Sequence, residues 1–219
     1  MKRLLGLLVL AGALALAQGA MVRMAHLSPD APAVDVLVNG QKAITGLAFK
    51  QITPYIPLPA AKVRVQVVPS GADAPVVIDA ELDLKEGVYY TVAATGFLAQ
   101  IRPQVYTDTL AGFFPRAGYA RIRVVHASPD APAVDVAVKG GPVLFAGLPF
   151  PRASTYLSVP AGAYDLEVRA AGTSTVALAL PGVTLESGKM YTVFAVGSLK
   201  AGTLTVVAVV DATVLGGNR

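Results

Sequence analysis

The chain of 219 residues is 54% hydrophobic and 15% charged, with a formal net charge of +4, two histidines, no cysteine and no tryptophan. That balance excludes a disordered chain and a coiled coil. The missing cysteine excludes a disulfide framework, thiolate zinc sites, Cys-ligated iron–sulfur clusters, a cysteine nucleophile and a lipid anchor attached through sulfur.

The first element reads as a leader. Met1-Lys2-Arg3 is a cationic start, and residues 4–17 follow without a charge. This run is shorter than the roughly 20 residues of a spanning helix. It ends in Ala15-Leu16-Ala17, the small-x-small pattern of a signal-peptidase site, so 1–17 is expected to be removed and the mature chain to begin at Gln18. The expectation is export to the periplasm or the cell surface, with no transmembrane segment in the mature chain. Loss of Lys2 and Arg3 lowers the net charge by two. The remaining charges are scattered, without the basic face that nucleic acid needs, so no nucleic-acid partner is expected.

Beyond the leader the chain is a duplication. Residues 22–40 read VRMAHLSPDAPAVDVLVNG and residues 122–140 read IRVVHASPDAPAVDVAVKG, identical at 13 of 19 positions. One residue further out of step, Tyr55 answers Tyr156, and Gly87-x-x-Tyr90-Thr91-Val92 answers Gly188-x-x-Tyr191-Thr192-Val193. The expected division is repeat 1 over 18–108, a joint over 109–118, repeat 2 over 119–213 and a tail over 214–219. Phe113 and Phe114 in the joint are expected to pack between the repeats, because adjacent exposed phenylalanines are a liability.

Within each repeat the pattern has period two. Val22, Met24 and His26 share one face while Arg23 takes the other; Ile122, Val124 and His126 repeat this against Arg123. Val34, Val36 and Val38 alternate with Asp35 and Asn39, and Val63, Val65 and Val67 with Arg64 and Gln66. Further strands are expected near 75–84, 88–95 and 101–108, with copies near 176–185, 189–196 and 203–210. Short strands parted by turn residues predict an all-β chain of two tandem antiparallel β-sandwich domains, immunoglobulin-like or transthyretin-like. Leu84-x-x-Gly87-x-x-Tyr90 and its copy around Tyr191 resemble a tyrosine corner, in which the ring enters the core and the hydroxyl bonds the backbone upstream. The uncharged run 204–210 would invite a homodimer if it lay at a sheet edge.

The segment His26-x-Ser28-Pro29-Asp30-Ala31-Pro32-x-Val34-Asp35-Val36, repeated from His126 to Val136, carries the residue types of a hydrolase triad. Pro29 has no N–H to offer an oxyanion hole, and each repeat has one histidine, so no catalytic residues are assigned. The reading preferred is a structural latch: His26, Ser28, Asp30 and Asp35, with His126, Ser128, Asp130 and Asp135, closing one end of each sandwich. Asp30, Asp35, Asp130 and Asp135 are weak calcium candidates, too few for a full oxygen shell, and His26 with both aspartates falls short of a zinc site. No cofactor is implied.

The twice-repeated HxSPDAPxVDV signature resembles the family catalogued as domain of unknown function 4397. The resemblance implies a β-sandwich module of exported microbial envelope proteins, often in tandem, and no established catalytic residues. The functional expectation is a non-enzymatic structural or adhesion module meeting an envelope protein or polysaccharide. The alternative is a binder of a small ligand, carbohydrate or calcium, with Tyr55, Tyr156 and Tyr89 as stacking candidates if they point outward, and with Tyr106 and Tyr119 lacking clear equivalents in the other repeat.

Overall fold

The computed structural model of the protein describes residues 19–110 and 116–213. The leader, Phe113 and Phe114, and the tail lie outside the described residues. Repeat 1 comprises β1 (Ala20–His26), β2 (Val34–Val38), β3 (Gln41–Leu47), β4 (Ile56–Leu58), β5 (Lys62–Pro69), β6 (Ile78–Asp83), β7 (Tyr89–Thr95) and β8 (Arg102–Asp108). Repeat 2 comprises β9 (Tyr119–His126), β10 (Val134–Val138), β11 (Val143–Leu148), β12 (Leu157–Pro160), β13 (Gly162–Ala170), β14 (Val176–Leu185), β15 (Lys189–Val196) and β16 (Thr205–Thr213). The β-branched alternation identifies strands of this kind, and only a 3-10 turn at Leu98–Gln100 interrupts them among the described residues.

Each repeat is a sandwich of two four-stranded sheets. One has the order β4-β1-β7-β8 and the other β3-β2-β5-β6; repeat 2 reproduces both as β12-β9-β15-β16 and β11-β10-β13-β14. An immunoglobulin constant-type sandwich places its first, second, fifth and fourth strands in one sheet. Here the first strand pairs with the fourth and seventh instead, so the strand order is not that of an immunoglobulin constant domain. The pairing is antiparallel throughout except β1 with β7 and β9 with β15, which run parallel. A parallel pair needs a long crossover, and the strands between, folded largely into the opposite sheet, supply it.

The two sheets of a sandwich differ in how much they bury. From Lys62 to Val67, β5 alternates buried with exposed or half-buried positions, as a strand with one wet face does. β1, β7, β9 and β15 are buried along almost their whole length, on both faces. Their inward faces carry the two sandwich cores, around Val22, Met24, Val65 and Val92 in repeat 1 and around Ile122, Val124, Val136 and Tyr191 in repeat 2. Their outward faces meet each other. Ala25, Leu27, Ala93 and Tyr106 of repeat 1 pack with Val125, Ala127, Phe194 and Val196 of repeat 2 in a third cluster. The layers therefore run outer sheet, inner sheet, inner sheet, outer sheet, and the tandem is one packed body.

β16 does lie at a sheet edge, with Val210 exposed, while Val207 and Val209 pack against the inter-repeat cluster. The Tyr90 ring is buried, and its hydroxyl accepts the Lys85 backbone N–H at 3.2 Å; Tyr191 accepts that of Glu186 at 3.1 Å. Each bond reaches five residues upstream and pins the turn entering the seventh strand of its repeat. Tyr90→Phe keeps the ring and deletes this acceptor. It is expected to cost about 1 kcal/mol in urea denaturation, and an unchanged midpoint would mean that water replaces the hydroxyl.

Candidate functional site

The signature segment leaves the end of the first strand and crosses to the second, so its polar residues sit over one end of each sandwich. His26 and His126 are almost fully buried, and each ring reaches a proline carbonyl six residues on: Nε2 to Pro32 O at 2.8 Å and to Pro132 O at 2.9 Å. A carbonyl only accepts, so Nε2 carries the proton and donates. His126 Nδ1 accepts the Ser128 N–H at 3.3 Å, whereas His26 Nδ1 has no hydrogen-bond partner among the described residues. Burial pushes both imidazoles below their ordinary pKa of 6.5 against the opposing pull of the proline carbonyls, and both rings are neutral.

Asp30 and Asp130 tie this loop to the loop before the last strand. Asp30 Oδ1 accepts the Leu98 N–H at 2.7 Å, at the start of the 3-10 turn. Asp130 accepts the Ser198 hydroxyl at 2.7 Å and the backbone N–H groups of Leu199 and Lys200 at 2.8 and 3.0 Å. Desolvation would raise the Asp130 pKa, but the Ser198 hydroxyl and these N–H groups outweigh it and hold it at about 2. Ser28 and Ser128 are buried and reach Asp30 and Asp130 only at 3.4 Å, at the long limit of a hydrogen bond.

Asp35 and Asp135 do not join the histidines, and the four-residue latch expected in each repeat is corrected to two separate devices. Asp35 accepts the Gly46 N–H at 2.9 Å and the Gly71 N–H at 3.3 Å, and pairs with Lys42 at 3.0 Å. Asp135 accepts from Gly147 at 2.7 Å and Gly172 at 2.9 Å. These bonds pin the bulged pairing of the second strand with the third, where Gly46 and Gly147 take the left-handed φ of +68° and +61° that a side chain would strain. The physical reason for the split is topological, because the Pro-rich segment carries the chain from the inner sheet to the outer one between Asp30 and Asp35. The Gly46 N–H and Lys42 hold the Asp35 carboxyl well below the usual range, and the N–H groups of Gly147 and Gly172 do the same for Asp135. All four calcium candidates thus face N–H donors, which a cation would have to displace.

A constellation that alternation alone did not predict lies between the repeats. Arg23 and Arg123 project from the outward faces of β1 and β9 into the interface, where they meet Asp108 and Asp211 at the ends of β8 and β16. All four side chains are at most 3% exposed. Each arginine crosses to the other repeat: Arg23 Nη1 lies 2.7 Å from Asp211 Oδ1, and Arg123 Nη2 donates to Asp108 Oδ1. Arg23 also stands 3.7 Å from Asp108. The Arg23–Asp211 contact is coulombic rather than a directed bond, since Asp211 Oδ1 receives no aligned hydrogen among the described residues.

Around them the chain repeats one scaffold twice. Arg23 Nε donates to Thr91 Oγ1 at 2.7 Å and Arg123 Nε to Thr192 Oγ1 at 2.8 Å. Each threonine donates to the aspartate of its own repeat, at 2.5 and 2.6 Å, and so do Tyr55 at 2.5 Å and Tyr156 at 2.7 Å. Desolvation pushes both phenols far above their ordinary range. The Arg23 guanidinium lies 4.7 Å over the Tyr55 ring and that of Arg123 4.8 Å over Tyr156.

The expectation of outward stacking tyrosines is therefore corrected for Tyr55 and Tyr156, whose hydroxyls point into this network. Tyr106 is buried, with its hydroxyl donating to the Pro151 carbonyl of the other repeat at 2.8 Å. Tyr89 packs edge-on against Tyr55, and Arg116 lies 4.3 Å over the half-buried Tyr119. The missed signal was in the sequence. Ala25, Leu27, Val125, Ala127, Phe194 and Val196 occupy positions that alternation assigns to the outside, and a strand apolar on both faces is covered on both.

The model of the family described as domain of unknown function 4397 matches residues 20–137 and 120–217. The chain belongs to this family, in two copies. No curated protein matches it.

Two outcomes test the site as built. Asp108→Ala leaves Arg123, and in part Arg23, without a counter-charge in a dry interface, and is expected to cost about 3–5 kcal/mol in chemical denaturation; an unchanged midpoint would mean that water reaches the guanidinium groups. The histidines predict a pH dependence. The folded chain resists protons that the unfolded chain takes up below 6.5, so their contribution is complete above that pH and is lost as the pH falls. A His26→Gln/His126→Gln variant is expected to lose roughly 1–3 kcal/mol near neutral pH and to show a shallower fall in its urea midpoint between about pH 7 and about pH 5.

Proposed function

We propose that the chain is a non-catalytic module of the exported cell envelope, in which two sandwiches act as one rigid unit and present loops to a protein or polysaccharide partner. The observation that carries this reading is where the polar residues of the signature go. In both repeats they meet proline carbonyls, backbone N–H groups and each other within the loops, which is the use expected of residues that hold a scaffold. Rigidity suits such a role, because a preorganised pair of modules spends less of its binding energy on ordering. Export rests on the leader at 1–17. No helix among the described residues is long and apolar enough to cross a membrane. The open edge of β16 would accept a second copy of the chain.

The test is co-sedimentation of the purified 18–219 chain with envelope fractions of the producing cell, with calcium and with chelator. Retention under both conditions is the expected result. Retention lost with chelator would overturn the calcium-independent form of the proposal and single out Asp30, Asp35 and their copies, and no retention would overturn envelope attachment.

A further inference from the structure

A groove of about 420 Å³ runs between the repeats. One wall is residues 104–107 and Thr109, along β8, the edge strand of its sheet. The other is Arg121 and Arg123 of β9 with residues 152–156, the segment leading into β12. Three arginines line it and, among the described residues, no aspartate or glutamate does. Arg123 is committed to Asp108 and to the Thr107 carbonyl at 3.2 Å, and Arg121 lies 5.5 Å over the Tyr156 ring. The exposed guanidinium of Arg152 has no hydrogen-bond or ion-pair partner among the described residues.

The duplication supplies an internal control. The parallel registers make Met21 the counterpart of Arg121, since Met21 pairs with Tyr89 and Arg121 with Met190. The bridges Ala25–Ile52 and Val125–Ala153 make Gln51 the counterpart of Arg152 and Pro54 that of Thr155. Across the groove, Val207, Val209 and Val210 stand where Gln104, Tyr106 and Thr107 do, counting back from Asp211 and Asp108. Groups that hold the repeats together occur in both copies: Arg23 and Arg123, Thr91 and Thr192, Asp108 and Asp211. Arg123, Ser154 and Tyr156 are answered by Arg23, Thr53 and Tyr55, but Arg121, Arg152, Gln104, Thr107 and Thr155 have no polar counterpart except Gln51, so the shared architecture does not require their charge and hydroxyls.

We propose that this groove binds a small acidic ligand, an oxyanion on a hydroxyl-rich body, with Arg152 as the direct anion contact and Arg121 adding to the field. Guanidinium pairs carboxylate and phosphate alike. Thr107, Thr109, Thr155 and Gln104 supply neutral hydrogen-bonding groups suited to hydroxyls, and the volume falls in the range of small-molecule sites. This sharpens the ligand-binding alternative and does not depend on export or envelope attachment.

Titration calorimetry on the two-repeat chain tests it, with glucuronate, glucose 6-phosphate, glucose and inorganic phosphate as probes. At least one of the two acidic sugars is expected to bind about ten-fold or more tightly than glucose and than phosphate, and more weakly at high salt. The tighter of the two identifies the source of the oxyanion as carboxylate or phosphoryl. Arg152→Gln and Arg121→Met place the repeat 1 residue at each position. Arg152→Gln is expected to lower the affinity about ten-fold or more at an unchanged melting temperature. Four outcomes would overturn the proposal: no binding of either acidic sugar at millimolar concentration, phosphate bound as tightly as both, tighter binding of an oligoglutamate peptide, or affinity that survives both substitutions.

Discussion

Two guanidinium groups and two carboxylates sealed between inner sheets constrain the rest of this molecule. Isolated buried charges are costly, and the cost is offset only by a complete set of partners in the right places. Here the sets are incomplete within each repeat and are completed across the interface: Arg23 reaches Asp211, and Arg123 reaches Asp108. The reciprocity is that of an isologous contact, written within one chain. The central strands of the inner sheets, β1, β7, β9 and β15, are covered on both faces in the tandem, so the repeats are two halves of a single body rather than beads on a linker.

Adhesion and register come from different groups in this interface. Ala25, Leu27, Ala93, Val125, Phe194 and Val196 bury apolar surface, which is non-directional and would tolerate some sliding of one sheet over the other. The Arg–Asp set does not tolerate sliding, because a shift of one residue would leave charges unpaired in a dry layer. Thr91, Thr192, Tyr55 and Tyr156 also hold the aspartates, so each carboxylate is fixed by hydroxyls of its own repeat as well as by the arginine that crosses to it. The Tyr106 hydroxyl adds one further directional bond, to Pro151.

Six strands of each repeat were legible from period-two patterning, as in Val63 to Val67; β3 and β4, with β11 and β12, were not, because the third strand is bulged and the fourth spans only three or four residues. The second buried face was not read, because alternation says that Arg23 lies opposite Val22 and Met24 but not what covers it. A lone arginine on an outward face is ordinarily a solvated one, and the apolar residues around it carried the contrary signal. The signature loop was half legible. His26 fell on the core side and Asp30 in loop reach, but Asp35, only nine residues from His26, belongs to the outer sheet and pins a bulge there. Sequence proximity misled because the segment between Ser28 and Val34, with Pro29 and Pro32, marks the crossing from one sheet to the other.

A duplicated chain separates scaffold from specialisation without any second sequence. Proline-carbonyl bonds from His26 and His126, carboxylate clamps from Asp35 and Asp135, and corner bonds from Tyr90 and Tyr191 recur because each sandwich needs its own closing devices. Recurrence of the HxSPDAP loop therefore argues for architecture. The side of the interface lined by Arg121 and Arg152 departs from its counterpart, lined by Met21 and Gln51, while the charge set between them does not. Divergence next to a fixed frame is where a chain gains chemistry at little cost in stability, since surface exchanges away from buried networks shift it by only about 0.5 kcal/mol. The buried quartet keeps the walls of the groove in place, and the wall residues are left free to change.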